Sequence, residues 1–114
     1  MASTSVGARN GFRKQILLVG GIGRMEAQYR ALVESRGYEL IYRERRITGG
    51  TPPATLAAIL VVTTVVSHPL REHAARLASA CRVPIVYLRS PSLSAVRKAL
   101  DVALGIGLEQ EAHV

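Results

Sequence analysis

The sequence predicts a layered α/β fold built on a parallel sheet, from three observations. Short apolar runs recur along the chain: Ile16 to Val19, a stretch within Ala58 to Val66, and Val83 to Leu88. Strands read this way when both of their faces are covered, as in a parallel sheet between helices. Segments with helical spacing alternate with these runs, such as Leu70, Ala74, Leu77, Ala78 and Cys81 at i, i+4, i+7, i+8 and i+11. Finally, the joins carry turn and helix-start residues: Gly20-Gly21-Ile22-Gly23, Ser67-His68-Pro69 and Arg89-Ser90-Pro91.

Taken in order, Met1 to Lys14 is small and polar and reads as a flexible tail. Gln15 to Val19 is the first strand. The first helix runs from about Arg24 to Ser35, with Met25, Tyr29, Leu32 and Val33 on its apolar face and Gly37 in the place of a C-terminal glycine. Tyr38 to Tyr42 is the second strand, with Glu39 marking a sheet edge. Arg43 to Pro53 is a loop, and a short helix is expected around Pro52 to Ala57. The third strand falls within Ala58 to Val66, whose β-branched residues favour extended backbone. His68 reads as the N-cap of the next helix, because the following proline suits a first helical position. Val83 to Leu88 is the fourth strand. Ser90 then caps, and Pro91 starts, a helix buried through Leu93, Val96, Leu100 and Leu104. Gly105 and Gly107 end it, and Leu108 to Val114 reads as frayed.

Four parallel strands joined by right-handed crossovers take the order 2-1-3-4 with helices on both faces, a three-layer α/β/α sandwich of Rossmann-like or flavodoxin-like type. A single domain is expected over 15–104, with tails at 1–14 and 105–114. In this order the connections after strands one and three leave in opposite directions. The crevice between the carboxyl ends of those strands is where such sheets place ligands. Three segments should meet there: Gly20 to Arg24, Thr63 to His68, and Arg89 to Ser92.

That meeting point is rich in donors. It offers backbone N–H groups beside Gly20, Gly21 and Gly23, the hydroxyls of Thr63, Thr64, Ser67, Ser90 and Ser92, the imidazole of His68, and the guanidinium groups of Arg24 and Arg89. It offers no carboxylate, because every Asp and Glu falls in helices, strand two, the loop after it or the tail. Such an inventory suits a phosphate or a carboxylate and argues against a Mg²⁺ site or paired-carboxylate catalysis. The glycine turn is neither the spaced dinucleotide fingerprint nor a P-loop, since no Gly-Lys-Ser/Thr follows. It reads equally as glycines that merely allow a tight strand-to-helix turn. His68 is the one neutral-pH proton-transfer candidate, and a helix N-terminus disfavours its charged form. It reads equally as a capping residue. His73 lies five positions on, about 140° around the helix, so the two do not grip one metal. Cys81 sits at an apolar helical position and reads as core.

Composition bounds the partners. At 114 residues and 48% hydrophobic the chain holds one core, and its longest apolar run is only strand-length, so no membrane span is expected. A single cysteine excludes an internal disulfide, and the small, polar start reads as lacking a secretory signal; a cytoplasmic location is expected. The net charge of +7 comes from scattered arginines, with only Arg43, Arg45 and Arg46 clustered. Basic residues without interleaved aromatics do not make a nucleic-acid platform. Open edges at strands two and four predict a homodimer.

The order Leu-Leu-Val-Gly-Gly, Tyr-Arg-Ala-Leu-Val-Glu, Val-Ser-His and Leu-Arg-Ser with a closing helix resembles the bacterial family called domain of unknown function 2325 (DUF2325), over about Gln15 to Leu104. The resemblance implies a small cytoplasmic α/β domain with no assigned reaction, and haem ligation through histidine in some relatives, hence a regulatory or sensing role. The positions carried over are Gly20, Gly21, Ser67, His68, Arg89 and Ser90. The chain departs from the family pattern in three places. Ile41-Tyr42-Arg43-Glu44 stands where relatives carry His-His-Asp-Gly, Thr63-Thr64 stands for Thr-Asp, and a histidine near the first helix start is replaced within Met25 to Gln28. The expectation is therefore a non-catalytic binding or regulatory module for an anionic small molecule. The alternatives are a haem or metal protein using His68, or an enzyme with His68 as acid–base.

Overall fold

Four consecutive apolar side chains can all be buried only if both faces of their strand are covered, and β1 (Gln15–Val19) meets that demand. In the computed structural model, which describes residues 14–47, 55–105 and 111–114, Ile16 to Val19 are each 0% exposed. β1 lies inside the sheet, paired in parallel with β2 (Glu39–Arg43) on one side and β3 (Leu56–Val62) on the other. A register shift between Gln15 and Ile16 puts a bulge in the β1–β3 ladder. β4 (Ile85–Leu88) follows β3, and β5 (Glu111–His113) follows β4. The sheet is wholly parallel with order 2-1-3-4-5.

Between the strands lie α1 (Glu26–Ser35), entered through a 3-10 turn at Gly23–Met25, α2 (His68–Cys81) and α3 (Leu93–Gly105). Alternate residues of β1 feed two cores. Ile16 and Leu18 pack with Tyr29 and Val33 of α1 and Val96, Ala99 and Leu100 of α3. Leu17 and Val19 pack with Leu70, Ala74 and Ala78 of α2. The expected α/β/α layering is present, with α1 and α3 on one face and α2 on the other. No helix among the described residues is long and apolar enough to cross a membrane.

The faces also fix the hands of the connections. The steps from β3 to β4 and from β4 to β5 run the same way along the sheet, yet α2 and α3 lie on opposite faces. Those two crossovers therefore have opposite hands. The β1–α1–β2 and β3–α2–β4 units share one hand and β4–α3–β5 has the other, so the three do not all take the single sense such units overwhelmingly adopt.

Several boundaries differ from the sequence reading. The fifth strand falls in the expected C-terminal tail: Ala112 pairs with Val86, and the Val114 N–H donates to the Tyr87 carbonyl at 2.8 Å. Glu-Ala-His carries no strand pattern; the exposed edge of β4 provides the template. The third strand stops at Val62, and Thr63 to Val66 turn instead, with the Val65 N–H bonded to the Val62 carbonyl at 3.2 Å. Ser67, not His68, caps α2; its hydroxyl accepts the Leu70 N–H at 3.2 Å, and Pro69 sits one position inside the helix start. Likewise Ser92, not Ser90, caps α3 by accepting the Ala95 N–H at 3.2 Å. Ser90 accepts the Ser92 N–H at 3.1 Å in the turn before it, and Pro91 precedes the helix. Most of the expected N-terminal tail and the short helix near Pro52 lie outside the described residues, although Leu56 and Ala57 belong to β3.

Both α1 and α2 end in Schellman turns, in which two N–H groups beyond the helix bond back to its last carbonyls. At α1 these are Gly37 to Glu34 and Tyr38 to Val33, with Gly37 at φ +85°. At α2 the left-handed position belongs to Arg82, at φ 59°. Gly20, at φ +87°, is different in kind. A Cβ there would lie 2.7 Å from Val66 Cγ1 and 2.9 Å from Val65 Cγ2, whereas one at Gly37 meets nothing within 4 Å. Gly37→Ala is expected to cost about 1 kcal/mol, the backbone penalty alone. Gly20→Ala is expected to cost about 3 kcal/mol, because two valines must also move. Urea unfolding of the two variants checks the difference, and equal losses would contradict this account of the turn.

Candidate functional site

The carboxyl rim brings together the three segments named from the sequence, but it uses most of their polar groups internally. Gly20 is buried, its N–H donates to the Arg43 carbonyl at 2.8 Å, and Val65 and Val66 pack over it. The switch-point crevice between β1 and β3 is thus occupied by valine side chains. Gly21, at φ +118°, lies against the rings of Tyr29 and Tyr42. Gly23 faces the Glu44 carboxylate, whose Oε1 would stand 2.5 Å from a Cβ at that position. This corrects the expectation that the rim holds no carboxylate: the loop after β2 folds back and delivers one to the glycine turn. Arg24 is exposed on the 3-10 turn.

The hydroxyls act as ties. Thr64 donates to the Arg89 carbonyl at 2.6 Å, and Thr63 contacts the Leu88 carbonyl at 3.4 Å through Oγ1 and at 2.8 Å through its N–H. Ser67 and Ser92 cap helices, and Ser90 holds the turn before α3. His68 is the first residue of α2, with a side chain 79% exposed and Nε2 3.0 Å from Glu72 Oε2 one turn on. Among the described residues no three His, Cys, Asp or Glu side chains group to hold a metal. Cys81 packs against the α2-side core, and burial pushes its thiol pKa up.

A concavity of about 340 Å³ lies instead over the ends of β3, β4 and β5 on the α2 side. Thr63 and Arg89, both singled out from sequence, line it with Arg71, Tyr87, His113 and Val114. The Arg71 guanidinium carbon lies 4.7 Å from the Tyr87 ring centroid, and the His113 ring stacks on Tyr87 with centroids 5.0 Å apart. Burial raises the Tyr87 pKa; Glu111 adds to the rise and Arg71 opposes it. Glu111 Oε1 also lies 3.9 Å from His113 Nε2. Sequence reasoning missed Arg71, Tyr87 and His113. The spacing did hold one clue, since Arg71 falls in the first turn of α2, whose start borders the rim.

Two tyrosines beside the glycine turn have opposite roles. The Tyr29 hydroxyl accepts the Ile22 N–H at 3.2 Å and donates to the Pro91 carbonyl at 2.6 Å. The Tyr42 hydroxyl is buried without a hydrogen-bond partner among the described residues, and burial, then the Glu44 charge, push its pKa up to about 12. Tyr29→Phe is expected to lose about 1–3 kcal/mol, and Tyr42→Phe to be neutral or stabilising by about 1 kcal/mol. Because Tyr42 ionises near 10 when unfolded and about 12 when folded, it makes stability fall as pH rises through that window. Chemical denaturation of both variants at neutral and alkaline pH reads all three outcomes; a destabilised Tyr42→Phe would mean the hydroxyl is satisfied.

No curated protein and no solved structure matches the chain. A family model does, the one described as "Uncharacterized protein conserved in bacteria (DUF2325)", over residues 15–103. The match runs from the first residue of β1 into the last turn of α3, taking in the glycine turn, Ser67-His68 and Arg89-Ser90 but leaving β5 outside. The chain therefore belongs to the DUF2325 family.

Proposed function

We propose that this protein is a cytoplasmic binding or regulatory module, without catalysis, for a small organic anion carrying a phosphate or carboxylate group. The observation that carries the reading is the convergence of Arg71, Arg89 and His113 on one concavity from three different elements. The Arg71 guanidinium carbon lies over the Tyr87 ring, and a group with five donors can meet an aromatic side chain and still serve a second acceptor. Thr63 stands beside it, and the Tyr87 ring, Leu88 and Val114 supply an apolar wall. A volume of about 340 Å³ is at the small end of organic-ligand sites, larger than an inorganic ion needs. This reading puts the ligand one strand further along the sheet than the switch-point crevice. The haem, metal and acid–base readings depend on His68, which lies outside the concavity, exposed and engaged by Glu72.

Isothermal titration with inorganic phosphate, small phosphomonoesters and small dicarboxylates tests the proposal. Saturable binding is expected, and Arg71→Ala and Arg89→Ala should each weaken it at least about tenfold, the value of one charge-assisted hydrogen bond. His68→Ala should leave it unchanged. Failure of the whole panel to bind, or loss of binding in His68→Ala alone, would overturn the reading.

A further inference from the structure

The outer edge of the sheet at β2 has a feature that the anion site does not explain. Within a parallel ladder the N–H and C=O of one residue point to the same side. The Glu39 N–H bonds to Lys14 and the Arg43 carbonyl to Gly20, so Glu39, Ile41 and Arg43 face β1. Leu40 and Tyr42 therefore present their backbone groups outward. Both outward carbonyls are taken by guanidinium groups: Arg30 donates to Leu40 at 3.2 Å and Arg43 to Tyr42 at 2.9 Å. The outward N–H groups of Leu40 and Tyr42 make no hydrogen bond among the described residues. Half-buried Ile41 lies on the α2 side of this edge, between Glu39 and Arg43.

We infer that this edge pairs antiparallel with β2 of a second copy, about a two-fold axis at Ile41. The sequence Glu39-Leu40-Ile41-Tyr42-Arg43 is complementary to its own reverse. In this register Glu39 lies opposite Arg43 of the second copy, Ile41 opposite Ile41, and Leu40 opposite Tyr42. The outward residues are then the ones that exchange backbone hydrogen bonds, as an antiparallel ladder requires. Shifting the register by one outward pair in either direction separates the opposite charges. The guanidinium groups make the edge selective. A strand without an acidic residue opposite Arg43 must displace a guanidinium from a carbonyl with no compensation. The second copy brings Glu39, to which Arg43 moves as a charge-assisted pair, while the Tyr42 carbonyl takes the Leu40 N–H of the second copy. Joining two copies in this way makes one continuous sheet of ten strands, counted as two copies of the five in each chain. A five-residue strand gives a small interface, so the association is weak and concentration-dependent.

Sedimentation velocity over a concentration series tests this independently of any ligand. Wild type should self-associate reversibly, Glu39→Arg and Arg43→Glu should each weaken association at least about tenfold by setting like charges opposite, and the double reversal should restore it. As a second readout, Ile41→Cys in a Cys81→Ala background should form a symmetric disulfide on mild oxidation, because side chains at such a central pair approach within about 5 Å. A wild type that stays monomeric throughout, a dimer indifferent to the single reversals, or no disulfide in folded Ile41→Cys would overturn the inference.

Discussion

A phenol buried at 0% exposure must satisfy its hydroxyl within the protein, and Tyr29 does so by joining the Ile22 N–H to the Pro91 carbonyl. These partners lie 7 and 62 residues away in sequence, in the turn after β1 and the turn before α3. The hydroxyl acts as donor to one and acceptor to the other, so each loop fixes the other through a single oxygen. With it in place, Gly21 can lie only against the aromatic rings, and the glycine turn takes its course from there. The Thr64–Arg89 bond does the same for the β3–α2 and β4–α3 turns. The rim is thus a set of loops braced by side chains of moderate polarity, and the polar inventory is largely committed to that bracing.

The fold was legible because its signals are local and redundant. Ile16 to Val19 cannot be buried except in a doubly covered strand, the α2 stripe from Leu70 to Cys81 reads cleanly, and the crossover rule orders the strands. The caps were misplaced by one or two positions for one shared reason. Proline is tolerated just before a cap as well as in the first turn, so His68-Pro69 and Ser90-Pro91 leave the cap to whichever hydroxyl reaches an N–H, here Ser67, before Pro69 in the helix, and Ser92, after Pro91 outside it. The segments of the candidate site were legible in part. Thr63 and Arg89 follow strands, and strand ends are readable. Arg71 and Tyr87 meet only because α2 crosses β4 at a particular height, which no periodicity encodes. Glu44 escaped notice because a loop residue's direction depends on what it packs against, in this case Gly23.

Arginine supplies the chain's excess charge, and the structure gives several of these groups separate tasks. Arg36 bonds Asp101 at 3.0–3.1 Å and ties α1 to α3. Arg30 reaches both Glu26 and the edge of β2. Arg71 covers Tyr87. A planar group with five donors can bridge a carboxylate, a carbonyl or an aromatic face. Compositional bias toward arginine and structural use are therefore not alternatives here.

The reversed hand of the β4–α3–β5 crossover bears on the order of assembly. No residue of β5 is fully buried, and among the described residues every fully buried apolar residue of both cores comes from the segment that ends with α3. Most of the buried apolar surface is therefore supplied without Glu111 to Val114, of which Ala112 and Val114 add only partly buried side chains to the α1–α3 side. The last strand is an annex to a finished building, and the wall that His113 lends to the concavity can detach without bringing down the house.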